Sequence, residues 1–357
     1  MLKTYLLFVL LAMISPERNG VAASAGEATI DGLFRDFSNR KGPGASVLIS
    51  RDGKILLAKS YGSAEVEANI PCSTNTNFRL ASVTKQFTAM AIMVLADRNR
   101  LRLDNTLTDF FPEFPAYGRP VAVRHLLTHT SGLVDYEDVI PKGTVLPVLD
   151  RDVLRLMMQQ QGGYFPPGTK FRYSNSGFAL LALIVEKVSG TSFANFLQAN
   201  IFRPLKMNGT LAYEEGLSVV PLRAYGYSSH RAGFQRTDQS LTSSVLGDGG
   251  IYSSVLDLHK WDEALYGTQL VSGETMRAIF SPAIATDKPG VGYGFGWFIG
   301  SYRGFDAIWH SGNTIGFTTR IARFPQKRFT VIVLSNRNEA SLAELVDKIV
   351  DLYLFSE

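Results

Sequence analysis

Ser82 stands three residues ahead of Lys85 in Phe78-Arg79-Leu80-Ala81-Ser82-Val83-Thr84-Lys85, just before the run Gln86–Ala96 (QFTAMAIMVLA). That run is apolar almost all round, which predicts a helix buried in the core. A charged ammonium at the head of a buried helix is costly unless something uses it. On a helix, residues i and i+3 share a face with Cβ atoms roughly 5–6 Å apart, so Ser82 and Lys85 point the same way. A serine hydroxyl is a weak nucleophile until a base takes its proton, and a lysine can be that base once burial weakens its hold on its own. A helix start also aims N–H groups and the positive dipole end at a developing oxyanion. The spacing therefore makes Lys85 a candidate activator of Ser82, although S-x-x-K alone is a weak signal. A second S-x-x-K, Ser38 to Lys41, sits in the polar stretch NRKGPG and reads as a chance match in a solvated loop.

Two further groups could join this pair. Tyr173-Ser174-Asn175 follows the loop signal Pro166-Pro167-Gly168 and precedes the apolar segment from Gly177. In an extended loop, Tyr173 and Asn175 face the same side. A phenol beside a cation can relay protons, and an amide can hold a substrate carbonyl. The plainer reading is a half-buried tyrosine and a helix-capping asparagine. The other group is His310-Ser311-Gly312-Asn313. On a strand His310 and Gly312 face the same way. Glycine there would let a substrate backbone approach as an added strand, with the N–H of Asn313 joining that of Ser82 around an oxyanion. An exposed His310, titrating near about 6.5, would attract a substrate carboxylate when charged. The plainer reading is a histidine and a glycine at a strand end.

The elements that must position these groups follow from periodicity. Ile30, Leu33, Phe34 and Phe37 fall at helical spacing. Ala45–Ser50 and Ile55–Ala58 flank Asp52-Gly53, a hairpin signal. Near the other end, Gly294–Ile299, Ala307–His310, Thr314–Phe324 and Phe329–Leu334 read as strands, and Leu342, Leu345, Val346, Ile349, Val350 and Tyr353 form a helical stripe. Between them Arg151–Gln161, Gly177–Val188, Phe193–Ala199 and Val255–Tyr266 read as helices. The expected fold class is α/β in the α+β sense. Both chain ends build one antiparallel sheet (about 26–81 and 286–357) flanked by terminal helices, with a mostly helical region (about 82–285) inserted. A cleft is expected where that region meets the sheet.

Composition bounds the rest. The 357 residues carry a net charge of +4, with Lys and Arg scattered, which gives no support to nucleic-acid binding. The basic start Met1-Leu2-Lys3, the apolar run Tyr5–Ile14 and Ala23-Ser24-Ala25 have the layout of a cleavable signal peptide over 1–25. The mature chain (26–357) is then expected to be secreted or periplasmic with no membrane span, an uncleaved anchor being the alternative. The single Cys72 reads as a structural thiol. His125 and His129 have a spacing that could bind zinc, but Leu126 stands where helical zinc proteases need glutamate. No metal is therefore expected. G-x-S-x-G is absent, which excludes an α/β-hydrolase nucleophile elbow. Oligomeric state leaves no mark on the sequence.

Taken together, Ser82-Val83-Thr84-Lys85, Tyr173-Ser174-Asn175 and His310-Ser311-Gly312 resemble the three motifs of the penicillin-recognising serine hydrolases: class C β-lactamases, serine DD-peptidases and related esterases. The flanking blocks RHLLTHTSGL (124–133), PPGTKFRYSNSGFALLALIVEKVSG (166–190) and GDGGIYSSVLDLHKW (247–261) extend the likeness over nearly the whole mature chain. The resemblance implies Ser82 as the acylated nucleophile, Lys85 as its proton acceptor and Tyr173 as general base or proton shuttle. It makes Asn175, His310, Gly312 and Asn313 substrate contacts, with no cofactor and a small-molecule or peptide substrate. It gives RHLLTHTSGL a cleft-positioning role and Gly249 and Gly250 a loop at the rim. Where class C β-lactamases carry lysine in the third motif this chain has His310, which favours a peptidase, amidase or esterase over β-lactam turnover.

Ser82→Ala is expected to abolish covalent labelling by a fluorescent phosphonate as well as turnover, with the melting curve unchanged. Loss of a nucleophile costs many orders of magnitude, so activity within about tenfold of wild type would overturn the assignment.

Overall fold

The computed structural model describes residues 27–338 and 341–355. The signal peptide expected over 1–25 lies outside the described residues. The centre is one eight-stranded sheet: β1 (Ala45–Arg51), β2 (Lys54–Tyr61), β3 (Ile284–Ala285), β4 (Gly292–Tyr293), β5 (Phe298–Tyr302), β6 (Phe305–Thr314), β7 (Phe317–Phe324) and β8 (Phe329–Ser335). Their order is β3-β4-β5-β6-β7-β8-β1-β2, antiparallel throughout. The seam between β1 and β8, with Ala45 opposite Ser335, joins the two chain ends. Asp52 and Gly53 both take positive φ (52° and 75°), the conformation that closes a two-residue hairpin between β1 and β2.

Two cores cover the two faces of the sheet. Val47 and Ile49 of β1 with Val331 and Val333 of β8 pack under a helix over 27–33 (α1) and Leu342–Leu354 (α5), against Ile30, Phe34, Val346 and Ile349. The alternate residues Leu48, Ile332 and Leu334 enter the larger core on the opposite face. Burial from both sides is why β8 reads as an unbroken apolar run rather than an alternation. The larger core is filled by α2 (Lys85–Asp97), α3 (Asn175–Ser189) and α4 (Val255–Ala264). Every α2 residue from Lys85 to Leu95 is buried, as its all-round apolar sequence predicts. Helix α3 opens with the Ser174 hydroxyl accepting from the N–H of Gly177 and ends at Gly190 in the left-handed region (φ 77°).

The structure shifts some boundaries. The helices expected at Arg151–Gln161 and Phe193–Ala199 run Asp150–Met158 and Phe193–Leu197, the latter continuing into a wider turn to Phe202. Of the strand expected at Gly294–Ile299, only Phe298 and Ile299 are in a strand, β5; residues 294–297 form the bend between β4 and β5, with Gly296 at φ 80°. The break read at Ser311-Gly312-Asn313 is not there. Strand β6 passes through it, and the chain turns at Ile315-Gly316, where Gly316 has φ 74°. Three short pairings escaped the sequence. In one, Phe78–Arg79 and Leu211–Ala212 both pair with Ile251–Ser253, and the Leu80 N–H donates to the Ile251 carbonyl. This small sheet zips the segment leading to Ser82 onto the segment following Gly250. Cys72 is half-buried, and burial pushes its thiol up to about 12, in keeping with a structural role. No single helix among the described residues is long and apolar enough to cross a membrane.

The inserted region is tied to the sheet by an ion pair between Asp262 of α4 and Arg323 of β7, each side chain 2% exposed. The Arg323 guanidinium also lies over the rings of Tyr266, Phe280 and Trp297. Removing one partner of such a pair leaves an uncompensated buried charge. Asp262→Ala is therefore expected to cost about 3–5 kcal/mol in denaturant unfolding, and a loss below about 1 kcal/mol would show that Arg323 is held by its aromatic cage alone.

Candidate active site

Ser82 lies in a single 3-10 turn, Ala81–Thr84, that feeds directly into α2 at Lys85. In a 3-10 turn residues i and i+3 eclipse, which sets the lysine beneath the serine more closely than an α-helix would. Ala81 pays for the sharp entry with a left-handed φ of 48°. The Lys85 side chain is fully buried. Its Nζ donates to Ser82 Oγ (3.2 Å), Asn175 Oδ1 (2.8 Å) and the Asp248 carbonyl (2.9 Å). These three acceptors match the three N–H donors of an ammonium. The rings of Tyr173 and Phe178 complete the enclosure, with centroids 5.0 and 5.5 Å from Nζ.

Tyr173 and Asn175 both reach Lys85, as their extended spacing predicts. The capping role goes to Ser174, which leaves the Asn175 amide free to accept from the lysine. Tyr173 is pinned by His129. The His129 carbonyl accepts from the Arg172 N–H (2.9 Å), and its Nδ1 accepts from the Ser174 N–H (3.0 Å), one on each side of the tyrosine. The two rings sit 4.2 Å apart. The Tyr173 hydroxyl is buried with no hydrogen-bond partner among the described residues. This gives the RHLLTHTSGL block its physical purpose. His129, itself at φ 57°, clamps the loop that presents Tyr173. His125 Nδ1 is likewise occupied, accepting from the Ala122 N–H at 3.1 Å.

Strand β6 brings the third motif to the turn, with two corrections to the expected roles. His310 does not offer a cation to the cleft. It is 1% exposed, packed among Tyr173, Tyr293 and Phe298. Its Nδ1 lies 2.8 Å from the Ser311 carbonyl, so that nitrogen carries the proton, and the Tyr293 hydroxyl donates to Nε2 at 3.1 Å. Burial, with the Lys85 charge adding to it, pushes its pKa down to about 3. Gly312 does not clear space for substrate either. A Cβ there would stand 2.2 Å from the Leu80 carbonyl and 2.4 Å from Thr319 Oγ1. The missing side chain lets β6 press against the turn that carries Ser82. Asn313, by contrast, is exposed and lines the same cleft as Ser82. The pairing of β5 with β6 stops at Trp309, so β6 continues past its neighbour from His310 to Thr314.

The cleft, about 310 Å³ with its open mouth, is lined by Arg79, Ser82, Tyr136, Glu137, Asn175 and Asp248 among others. A larger cavity of about 1120 Å³ is lined by Asp150, Leu183, Phe193, Tyr213 and Leu246 among others and does not include Ser82. Four of these cleft residues escaped the sequence reading. The Tyr136 hydroxyl donates to Asp248 Oδ2 (2.9 Å), and burial raises that carboxyl to about 7. Asp135 accepts from the Asn175 backbone N–H (2.8 Å), and Glu137 accepts from Asn175 Nδ2 (3.3 Å). Burial first, and Asp135 second, hold the Glu137 carboxyl above its usual range. Arg79 fixes the opposite rim, donating to the carbonyls of Gly249 (3.1 Å) and Ser243 (2.6 Å). Gly249 borders the cleft, as the rim expectation has it. Only the Gly-Asp-Gly-Gly run signalled any of this, through its glycines. Gly247 touches the Phe178 carbonyl, where a Cβ would stand at 2.3 Å.

A lysine-paired serine at the junction of an antiparallel sheet and a helical insert defines a class of acyl-transferring hydrolase. The Beta-lactamase family model matches residues 30–353, and the chain belongs to that family. It is a serine hydrolase of the β-lactamase and DD-peptidase type. It is 34% identical to penicillin-binding protein 4* of Bacillus subtilis over 86% of this chain and 71% of that one. It is 30% identical to a D-aminopeptidase of Gluconobacter oxydans, over 88% of this chain but 59% of the relative's length. Among solved structures, the octameric penicillin-binding protein homologue from Pyrococcus abyssi superposes with a TM-score of 0.80 at 30% identity, covering 93% of this chain and 77% of that one. The D-amino acid amidase from Ochrobactrum anthropi SV3 shares the fold, with a TM-score of 0.78 at 23% identity over 92% and 98% of the two chains.

The buried His310 sets a pH dependence. A base whose folded pKa is depressed contributes stability that is fully present above its unfolded value near 6.5 and is lost as pH falls from there toward about 3. His129 is shifted the same way. Melting temperature is expected to drop between pH 7 and 5, and His310→Gln to show a shallower drop. An equal drop in both would mean that His310 stays neutral in the unfolded chain or charges freely in the folded one.

Proposed function

We propose that Ser82 attacks the carbonyl of an amide whose acyl part carries a free amino group, such as an amide or short peptide of a D-amino acid. The observation that carries this reading is Glu137. Its solvent-exposed carboxylate sits at the cleft wall beside Asn175, on the same cavity as Ser82. A carboxylate there is the complement of a substrate ammonium. The likeness to a D-aminopeptidase supports the same class.

The reaction runs in two halves. Ser82 Oγ bonds to the carbonyl carbon while its proton passes to Lys85, which takes it as the free amine after releasing one proton to solvent, with the Tyr173 hydroxyl placed to relay it. The C–N bond then breaks, and the same relay returns a proton to the departing amine. Water next attacks the acyl-enzyme, losing its proton to the relay, and the acid leaves as Ser82 regains its hydrogen. Asn175 orients the lysine and the substrate carbonyl group, and the N–H groups of Ser82 and Asn313 hold the oxyanion. His310 acts as a neutral buried wall behind Tyr173. A β-lactam, whose carboxylate calls for a cation at the third motif, suits this site poorly because His310 is uncharged at neutral pH. The signal-peptide layout of residues 1–25 supports export of a mature domain over 26–357.

Glu137→Gln is expected to raise KM for D-amino-acid amides bearing a free amine by about tenfold or more, the order of one charge-assisted hydrogen bond. The corresponding N-acetylated amides and neutral esters are expected to be little affected. A KM change equal across both substrate sets would remove Glu137 from amine recognition.

A further inference from the structure

Behind Lys85 lies the short helical turn Leu246–Gly249. Its role in the site is to present the Asp248 carbonyl to Lys85 Nζ at 2.9 Å. A backbone carbonyl can be aimed only by fixing the peptides around it. Three side chains do this from three directions. The Thr88 hydroxyl of α2 donates to the Gly247 carbonyl at 2.7 Å. Arg79 Nε donates to the Gly249 carbonyl at 3.1 Å. The third is Asp150, 96 residues from Leu246 in sequence, which accepts from the N–H of Leu246 at 2.8 Å and from that of Gly247 at 3.0 Å.

Asp150 stands out because an ordinary structural role does not explain it. It is the first residue of its helix, yet the capping of that helix is done by Asp152, which accepts from the Leu149 N–H at 3.1 Å. The residue is 8% exposed, and burial raises its carboxyl to about 7 against the pull of the two N–H bonds. A buried carboxylate is expensive, and here both its oxygens are spent on one turn.

We infer that Asp150 is a positioning residue for catalysis: by holding the Leu246 and Gly247 amides it fixes the Asp248 carbonyl on which Lys85 rests, and so sets the lysine against Ser82. The inference rests on Ser82 and Lys85 acting as the reacting pair and is independent of which substrate the cleft accepts. It makes no use of Glu137.

The test is the kinetics of Ser82 phosphonylation by a neutral aryl phosphonate, resolved into a binding constant and a maximal rate per labelled site. Counting only labelled sites removes any contribution from unfolded protein. Asp150→Asn keeps the shape but turns an amide N–H₂ toward one of the two N–H groups. Its maximal rate is expected to fall about tenfold, the order carried by a hydrogen bond to a charged group, with the binding constant unchanged. Thr88→Val frees the same turn at the Gly247 carbonyl and is expected to give the same split; it decides the matter should Asp150→Asn not fold. Asp152→Asn, which loosens the helix cap without touching the turn, is expected to lower the melting temperature and leave the maximal rate per site at the wild-type value. A wild-type maximal rate in Asp150→Asn, or in Thr88→Val if only that variant folds, overturns the inference. So does a loss in Asp152→Asn as large as that in Asp150→Asn. Absence of labelling in the wild type would instead refute Ser82 as the nucleophile.

Discussion

A primary amine held out of solvent is the constraint around which the rest of this site is arranged. Lys85 is fully buried at the head of a helix whose next ten residues are buried too. Stranding an ammonium there costs several kcal/mol unless its donors are met. They are met by an amide oxygen, a hydroxyl and a carbonyl, drawn from three separate stretches of chain. Each of these acceptors must in turn be held. Asn175 is held by Asp135 at its backbone and Glu137 at its side chain, Ser82 by the strained entry at Ala81, and Asp248 by the fixed turn around it. The tolerance for error is small, because an acceptor that drifts leaves part of a buried charge uncompensated.

The same field explains the two histidines. His129 and His310 both lie near the Lys85 charge, in an apolar surround of Tyr173, Phe178, Tyr293 and Phe298. Burial and a neighbouring cation both disfavour a second positive charge, so both imidazoles are driven far below their ordinary range. They work as neutral hydrogen-bonding wedges. One clamps the backbone on either side of Tyr173, and the other anchors Tyr293 beneath it. In a site already holding one buried cation, histidine in the third motif is compatible with a wall and poorly suited to a charged anchor.

Close backbone contact is the other organising device. β6 lies against the Ser82 turn because Gly312 has no side chain, and the Leu246–Gly249 turn lies against α3 because Gly247 has none. The small sheet joining Phe78–Arg79 to Ile251–Ser253 draws these two turns toward each other. Ser82 is thus positioned by the sheet on one side and by the helical insert on the other. The unpaired stretch of β6 beyond Trp309 remains along the cleft.

Much of this was legible in the chain because it is local. The Ser82–Lys85 spacing, the extended Tyr173-Ser174-Asn175 segment, the Asp52-Gly53 hairpin and the two-sided apolar run of β8 each express a period or a turn preference that acts over a few residues. The sequence by itself therefore determined the sheet built from both ends, the buried helix and the close pairing of Ser82 with Lys85. What only the tertiary structure decided is environment. Whether His310 carries a charge depends on burial and on Lys85, 225 positions away in the chain. Whether Gly312 serves a substrate or the Leu80 carbonyl depends on how closely two segments pack. Asp150, Asp248 and Glu137 look like ordinary surface acids in sequence. Asp150 and Asp248 acquire their roles when folding takes them out of water and sets them against particular donors, and Glu137 when folding brings it to the cleft beside Asn175, because the cost of a buried charge and the partner that offsets it are properties of the assembled core rather than of any stretch of chain.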